Sequence, residues 1–402
     1  MNFTIEKESI IKSLKSAASI AGRKTTQPIL SFIRLSAEGS KLTLCATDLE
    51  MGFQARYAAD VPEAGEICLP AKVLYDIVAA LPDGPIEFTA DSRPPAMTLR
   101  APSGVYKIPG LKADEFPSMG DLANIGLISV QASDLRNLIH KILYAVSTDE
   151  SRANLTGGFL KQEGNVLLMV ATDGHRMAKS TLNMALPEAP GDLGKEKMGT
   201  GKARGAKGGA GATGKLAAGM IIPRTALQEL LHILDKRLDK MVMIGCDQSH
   251  FILRVSGEDL TFHVQLIEAE FPNYNRVLPK ELTIPVVIRR AALTESLQRV
   301  NVLAGGGYDT LTVQLAGNKL ELILDNPNVG TAEEAHEIRN ITQVECATRM
   351  DIHYLRSALE VTHEDEIVID LSEGEKPIQV MNLSAIEDEE KDYIGLVMPL
   401  KN

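Results

Sequence analysis

The chain has 402 residues, with 42 Lys and Arg against 53 Asp and Glu, a net charge of −11 and 44% hydrophobic residues. That length predicts two to four domains with ample core, and the acidic total, taken alone, argues against nucleic acid, whose phosphates need cations facing them. Met1-Asn2-Phe3-Thr4-Ile5-Glu6 lacks a basic region followed by a long apolar run, and no stretch approaches the roughly 20 apolar residues of a membrane span, so a cytoplasmic location without membrane partners is expected.

In chain order, apolar residues at helical spacing predict a helix over 8–22. Alternation then predicts strands at 33–37 and 41–45, with Glu38-Gly39-Ser40 as the turn between them. The second strand runs into Ala46-Thr47-Asp48-Leu49-Glu50-Met51-Gly52. A second helix is predicted over 72–81, after Leu69-Pro70. Val105-Tyr106-Lys107-Ile108 alternates as an edge strand, and Glu115-Phe116-Pro117 follows it. A third helix is predicted over 133–146.

The chain then repeats itself. Ala171-Thr172-Asp173-Gly174-His175-Arg176-Met177 echoes the first Ala-Thr-Asp turn 125 residues later. Ile222-Pro223 echoes Leu69-Pro70 at an offset of 153, and Glu270-Phe271-Pro272 echoes Glu115-Phe116-Pro117 at 155. About thirty residues are therefore inserted in the second copy. The stretch 188–219 fits, because its many glycines and lysines leave too little apolar surface to bury a core. A fourth helix is predicted over 224–234, followed by strands at 242–244 and 251–255.

The third copy is fainter. A fifth helix is predicted over 289–304, then strands at 311–315 and 320–326 around Ala316-Gly317-Asn318, and a sixth helix over 351–361. Leu74 and Leu355, like Ile86 and Ile367, are 281 residues apart. The fold class is therefore α+β: three tandem repeats, each with two helices and antiparallel sheet. The boundaries fall at 1–124, 125–282 with the Gly/Lys-rich insertion at about 188–219, and 283–402.

Cys45, Cys68, Cys246 and Cys346 lie far apart, so buried thiols are expected rather than a disulfide framework or a metal site. Cations gather on the predicted helices: Lys12, Lys15, Arg23 and Lys24 on and after the first, Arg136 and Lys141 on the third, Arg289, Arg290 and Arg299 on the fifth. Lys72, Arg224 and Arg356 stand on the others. The acids, such as Glu333, Glu334, Glu337 and Glu387-Asp388-Glu389-Glu390, fall mostly in loops and strand ends. The repeat favours one basic helical surface beside an acidic exterior over six ordinary solvated helix faces.

The two Ala-Thr-Asp turns, Glu270-Phe271-Pro272-Asn273-Tyr274 with Arg276-Val277-Leu278-Pro279, and the terminal Val397-Met398-Pro399-Leu400 together resemble the bacterial DNA polymerase III β subunits, the replication sliding clamps. The similarity runs from Phe3 to the C-terminus apart from the insertion. It implies a homodimer of three-domain chains, joined head to tail in a closed ring with helices inside and sheets outside. Twelve helices about 9 Å apart close a circle about 34 Å across, leaving roughly 24 Å inside once a helix width is removed. Duplex DNA passes through that opening, so a ring holds it by topology, with few contacts and no sequence preference.

The resemblance also implies roles for single residues. Arg23, Lys24 and Arg152, with Lys12 and Lys141, would face double-stranded DNA, although Ala153 and Asn154 replace the aromatic residues the family often has after that arginine. A pocket for partner peptides would be lined by Leu155, Thr172, Gly174, His175, Arg176 and Met177 on one side. Tyr308, Tyr354, Leu396, Val397, Met398 and Pro399 would line the other. The family's proline before the strand near Met241 is replaced by Asp239-Lys240, which predicts a more polar wall, and Leu400-Lys401-Asn402 runs one residue past the usual ending at the pocket rim. Tyr106 and Ile108 would meet Val302 and Leu303 across subunits.

Expected partners are the polymerase III α subunit, the clamp loader, and other polymerases and repair proteins, and no cofactor or metal is expected. An enzyme on a repeated scaffold is the competing reading. Gly209-Ala210-Gly211-Ala212-Thr213-Gly214-Lys215 has phosphate-loop spacing, but Leu216 stands where magnesium needs a hydroxyl. Asp173-Gly174-His175 has no nucleophile or second carboxylate at useful spacing, and Glu50 replaces His175 in the first copy. A non-catalytic clamp is the reading adopted, with a specialised duplicate clamp of altered partner binding as the alternative.

Overall fold

The computed structural model describes residues 1–22, 27–118, 125–184, 216–279, 281–342, 344–371, 376–386 and 392–400. Gly209 to Lys215 and most of the insertion lie outside them. The six expected helices form as α1 (Lys7–Ala21), α2 (Ala71–Ala80), α3 (Ala132–Leu143), α4 (Arg224–Leu234), α5 (Arg290–Val300) and α6 (Ile352–Glu360). In α1, Ile10, Leu14, Ala17 and Ile20 recur at three- and four-residue spacing and are buried. Full burial of one such leucine contributes about 1.5–3 kcal/mol. Gly22 ends the helix, its N–H donating to Ala18 O at 2.9 Å. In α6 the Asp351 side chain accepts from the His353 N–H, satisfying a donor the helix leaves unpaired.

The described residues fall into two compact units, one of 1–136, 216–218 and 225–266, the other of 137–184, 219–224 and 267–400. The first unit holds a five-stranded and an eight-stranded antiparallel sheet. The eight-stranded sheet joins two repeats, because Met51–Ala58 pairs with Asp259–Gln265, Phe53 opposite Phe262 and Gly52 opposite His263. A Cβ at position 52 would sit 2.0 Å from the His263 ring, so any larger residue there would force that ring to move.

The second unit holds a nine-stranded and a four-stranded sheet. In the nine-stranded sheet Arg176–Asn183 pairs with Tyr393–Val397, again joining consecutive repeats through the strand that follows an Ala-Thr-Asp turn. Gly104–Pro109 is one edge strand of the five-stranded sheet and Gly330–Glu337 one edge strand of the four-stranded sheet, each paired on one side only among the described residues. Cys68 and Cys246 are buried and Cys45 and Cys346 half-buried. Burial pushes the Cys45 thiol up to about 11 and the Cys68 thiol to about 12. Among the described residues no cluster suits a metal ion, and no helix is long and apolar enough to cross a membrane.

Candidate functional site

The two Ala-Thr-Asp turns have the same hydrogen bonds. In the first, the Thr47 hydroxyl donates to Met51 O and accepts from the Leu49 N–H, and Asp48 Oδ1 accepts from the N–H groups of Glu50 and Met51. In the second, the Thr172 hydroxyl donates to Arg176 O at 2.8 Å and accepts from the Gly174 N–H, and Asp173 Oδ1 accepts from His175 and Arg176. The letters repeat in the sequence because Thr and Asp tie the turn to itself. The left-handed position is Gly174 in one copy, at φ 95°, and Leu49 in the other, at φ 78°.

The second turn carries a guanidinium held from four directions. Arg176 Nε donates to Asp173 Oδ2 at 2.9 Å and Nη1 to Ser357 Oγ at 3.2 Å. The group lies 4.6 Å over the Tyr354 ring and 5.6 Å from that of Tyr144. Such stacking suits the planar guanidinium. Tyr144 is half-buried with its hydroxyl 2.8 Å from that of Tyr393, and desolvation of that hydroxyl pushes its phenol well above the usual range.

Beside the turn is a mainly apolar cavity of about 210 Å³. Leu155, Thr172, Gly174, Arg176, Met177, Leu396 and Met398 line it, seven of the residues expected together. Pro272, Asn273, Tyr274 and Val277 complete it. Those four were missed, although their motif carried the resemblance; its recurrence as Glu-Phe-Pro in both copies was the available signal. Asp239 and Lys240, from which a more polar wall was expected, are not among the cavity's lining. Beneath it, Phe159 stacks on Phe271 at 4.9 Å and packs with Tyr274, Leu168 and Val170.

Other expected residues stand apart from the lining. Val397 is fully buried in the core of the third repeat, since strand alternation turns it away from Leu396 and Met398. His175 is exposed and stacks on Tyr354 at 6.2 Å, its carbonyl accepting from the Met398 N–H. Tyr308 is 38% exposed, and neighbouring Asp309 meets His353 at 3.3 Å. Pro399 is half-buried and outside the lining, Leu400 donates its N–H to Arg349 O, and Lys401 and Asn402 lie outside the described residues.

Of the cations expected to face DNA, Lys12 is exposed, and Arg23 and Lys24 lie outside the described residues. Arg152 Nε is 3.1 Å from Asp149 Oδ2, and a Cβ added at Gly174 would come 3.1 Å from Arg152 Nη1, so this arginine lies against the cavity's turn. The Ser151 hydroxyl and N–H, with Arg152, hold the Asp149 carboxyl below its ordinary range. Lys141 is mostly buried and its ammonium pairs with Asp392 at 2.7 Å, so it presents little free charge. Several other helix cations are likewise engaged: Lys72 by Asp76, Arg136 by Asp235 and Arg299 by Glu334.

At the expected subunit contact, Tyr106 is half-buried on the edge strand and Val302 is 77% exposed. Ile108 is buried opposite Met97, and Leu303 packs on the third repeat's core, so both side chains are spent inside the subunit.

Comparison with known proteins matches the family model of the DNA polymerase III beta subunit in three parts: its N-terminal domain over residues 1–120, central domain over 129–190 and C-terminal domain over 275–400. The chain is 31% identical to the beta sliding clamp of Synechocystis sp., over 96% of this chain and 97% of that one. It is 29% identical to the beta sliding clamp of Pseudomonas aeruginosa, over 100% of both. Among solved structures, a P. aeruginosa sliding clamp bound to griselimycin superposes with a TM-score of 0.84 at 28% identity, covering 100% of both chains.

Proposed function

The chain belongs to the DNA polymerase III beta subunit family, and from that premise we propose that two copies close head to tail around duplex DNA. Its function is that of a sliding clamp, a processivity factor without catalytic chemistry. The observation that carries the ring is the pair of half-sheets. Two large sheets of eight and nine strands each bridge consecutive repeats, whereas the five-stranded sheet and the four-stranded sheet each stop at an open edge. Joined across two subunits, Gly104–Pro109 to Gly330–Glu337, five strands and four make a third sheet of nine. An unpaired edge invites such pairing.

The repeats are assigned to 1–124, 125–282 and 283–402, in keeping with the three family-domain matches. The cavity at the Thr172 to Met177 turn is the docking pocket for short peptides of the polymerase α subunit, the clamp loader, and other polymerases and repair proteins. Its apolar lining takes a greasy anchor side chain, Met177 and Met398 repack around different anchors, and the exposed His175 contacts the peptide backbone. The cytoplasm is the proposed location. The test of the ring is mass in solution at nanomolar concentration: two chains per particle are expected, and one chain would contradict the proposal.

A further inference from the structure

Each repeat covers the edge strand before its second helix in the same way, but only two of them complete the cover. Cys68, Ile221 and Arg349 each stand three residues before the first residue of α2, α4 and α6. A later segment reaches each of them. Cys68 exchanges both backbone bonds with Leu111, at 3.0 and 2.9 Å, Ile221 O accepts from the Ile267 N–H at 3.0 Å, and Arg349 O accepts from the Leu400 N–H at 2.8 Å. In the first two repeats the segment runs on through Glu115-Phe116-Pro117 and Glu270-Phe271-Pro272. Phe116 is buried with Leu30, Cys68 and Ala113, and Phe271 stacks on Phe159 at 4.9 Å. Leu30, Leu155 and Tyr308 are equivalent, standing 12 residues before Leu42, Leu167 and Leu320 respectively. The two leucines are buried, whereas Tyr308 is 38% exposed, and no third Glu-Phe-Pro covers it among the described residues.

We propose that a partner completes the third repeat: an extended peptide segment adds a strand along the open edge of Cys346–Asp351 and lays an aromatic ring on Tyr308. The proposal rests on the pocket reading, because the segment is a continuation of the peptide whose anchor enters the cavity. Continuity is built in, since Met398 lines the cavity and Leu400, two residues on, is bonded to the edge. Cys346–Asp351 pairs with Thr310–Ala316 and with no strand on its other side among the described residues. Arg349 O faces that open side, as its bond to Leu400 shows. Backbone groups two residues apart on a strand face the same way, so Ala347 presents its N–H and C=O there too. Asp309 O accepts from the Ile352 N–H at 3.0 Å, which holds Tyr308 at the end of this strand. Ala347 and Arg349 are both exposed, which leaves room for an added strand, and the guanidinium favours an acidic residue in it. A ring on Tyr308 takes the place that Phe116 has on Leu30.

The test uses the full chain and synthetic fluorescent peptides, with binding read by polarisation. A short peptide, Gly-Ser-Leu-Leu-Ser-Gly, offers an apolar anchor alone, and two longer ones add Thr-Val-Thr-Glu-Phe-Pro after it or before it. One of the longer peptides should bind the parent about tenfold tighter than the short one, the net yield of a few backbone bonds. Ala347→Pro removes the outward N–H, and at an edge it leaves the ladder to Thr310–Ala316 intact. Tyr308→Ala removes the aromatic platform and leaves the strand untouched. In both variants the ratio of long to short affinity should fall toward one. Equal affinity of short and long peptides for the parent, or a ratio that survives in both variants, would overturn the inference. Assembly of chains beyond the dimer that Ala347→Pro abolishes would overturn it as well, by giving the edge to a second copy. Failure of all three peptides to bind would refute the pocket reading, and this inference with it, whereas binding of the short peptide without a gain would refute this inference alone.

Discussion

Val302→Asp should open the proposed ring without harming the subunit. Val302 is 77% exposed, so its replacement leaves the isolated chain within about 0.5 kcal/mol of its stability, as at most surface positions. In the proposed ring the same side chain would be covered by the second subunit. Losing its burial costs about 1–2 kcal/mol, and placing a carboxylate in an apolar contact costs at least a comparable amount again, together about 3 kcal/mol per interface. Two interfaces close the ring, so the dimer weakens by about 6 kcal/mol, roughly ten-thousandfold at 1.4 kcal/mol per tenfold. Sedimentation velocity reads this directly as loss of the two-chain species, with the melting temperature at high concentration as the folding control. An unchanged dimer at nanomolar concentration would refute the interface. Ile108→Ala would be the wrong probe: Ile108 is 2% exposed, and its truncation costs about 2–5 kcal/mol through the core of its own subunit.

Met398→Ala should cut the affinity of an apolar-anchored partner peptide roughly tenfold or more, about 1.5–3 kcal/mol for lost burial, as measured by fluorescence polarisation; unaltered affinity would move the pocket elsewhere. Gly174→Ala should lower stability by about 1–2 kcal/mol in a denaturant titration, the cost of a Cβ in the left-handed region, and displace Arg152; no loss would mean the turn adapts. The Arg299 guanidinium, aided by the Ser296 hydroxyl, holds the Glu334 carboxyl down from 4.5 to about 2. That depressed value contributes stability in full above 4.5, lost as pH falls from there through about 2. Because Arg299 is 58% exposed, the contribution is about 1 kcal/mol at most. Glu334→Gln should therefore be less stable than the parent at pH 7 and converge with it near pH 2 in thermal melts; parallel curves would contradict the ion pair.

The helices were legible because each buries one stripe at helical spacing and because the pattern recurs; α1 shows its stripe as Ile10, Leu14, Ala17 and Ile20 in the bare sequence. The Thr172 turn was legible for the same reason, its Thr and Asp being required by bonds within six residues. What failed to show was long-range. Lys141 reads as a solvated helix cation, and only the fold brings Asp392 to it across 251 residues. Pro272, Tyr274 and Val277 reach the cavity from a segment 95 or more residues beyond the Thr172 to Met177 turn, with no local signal for their direction. Val397 was a different kind of error. Strand alternation was readable, and it places Leu396 and Met398 on one face and Val397 on the other. The cationic helix faces were read from charge alone, whereas the fold neutralises several of them, Lys72 through Asp76 and Arg136 through Asp235.

The encircling of DNA is tested most directly by loading the chain onto nicked circular DNA, passing the complex through a sizing column at elevated salt, and repeating after a single cut linearises the circle. Topological binding predicts retention on the circle and loss once ends are available, since salt weakens phosphate contacts but not a closed ring. Equal retention on circular and linear DNA would show ordinary adhesion and contradict the account, and so would absence of retention on the intact circle.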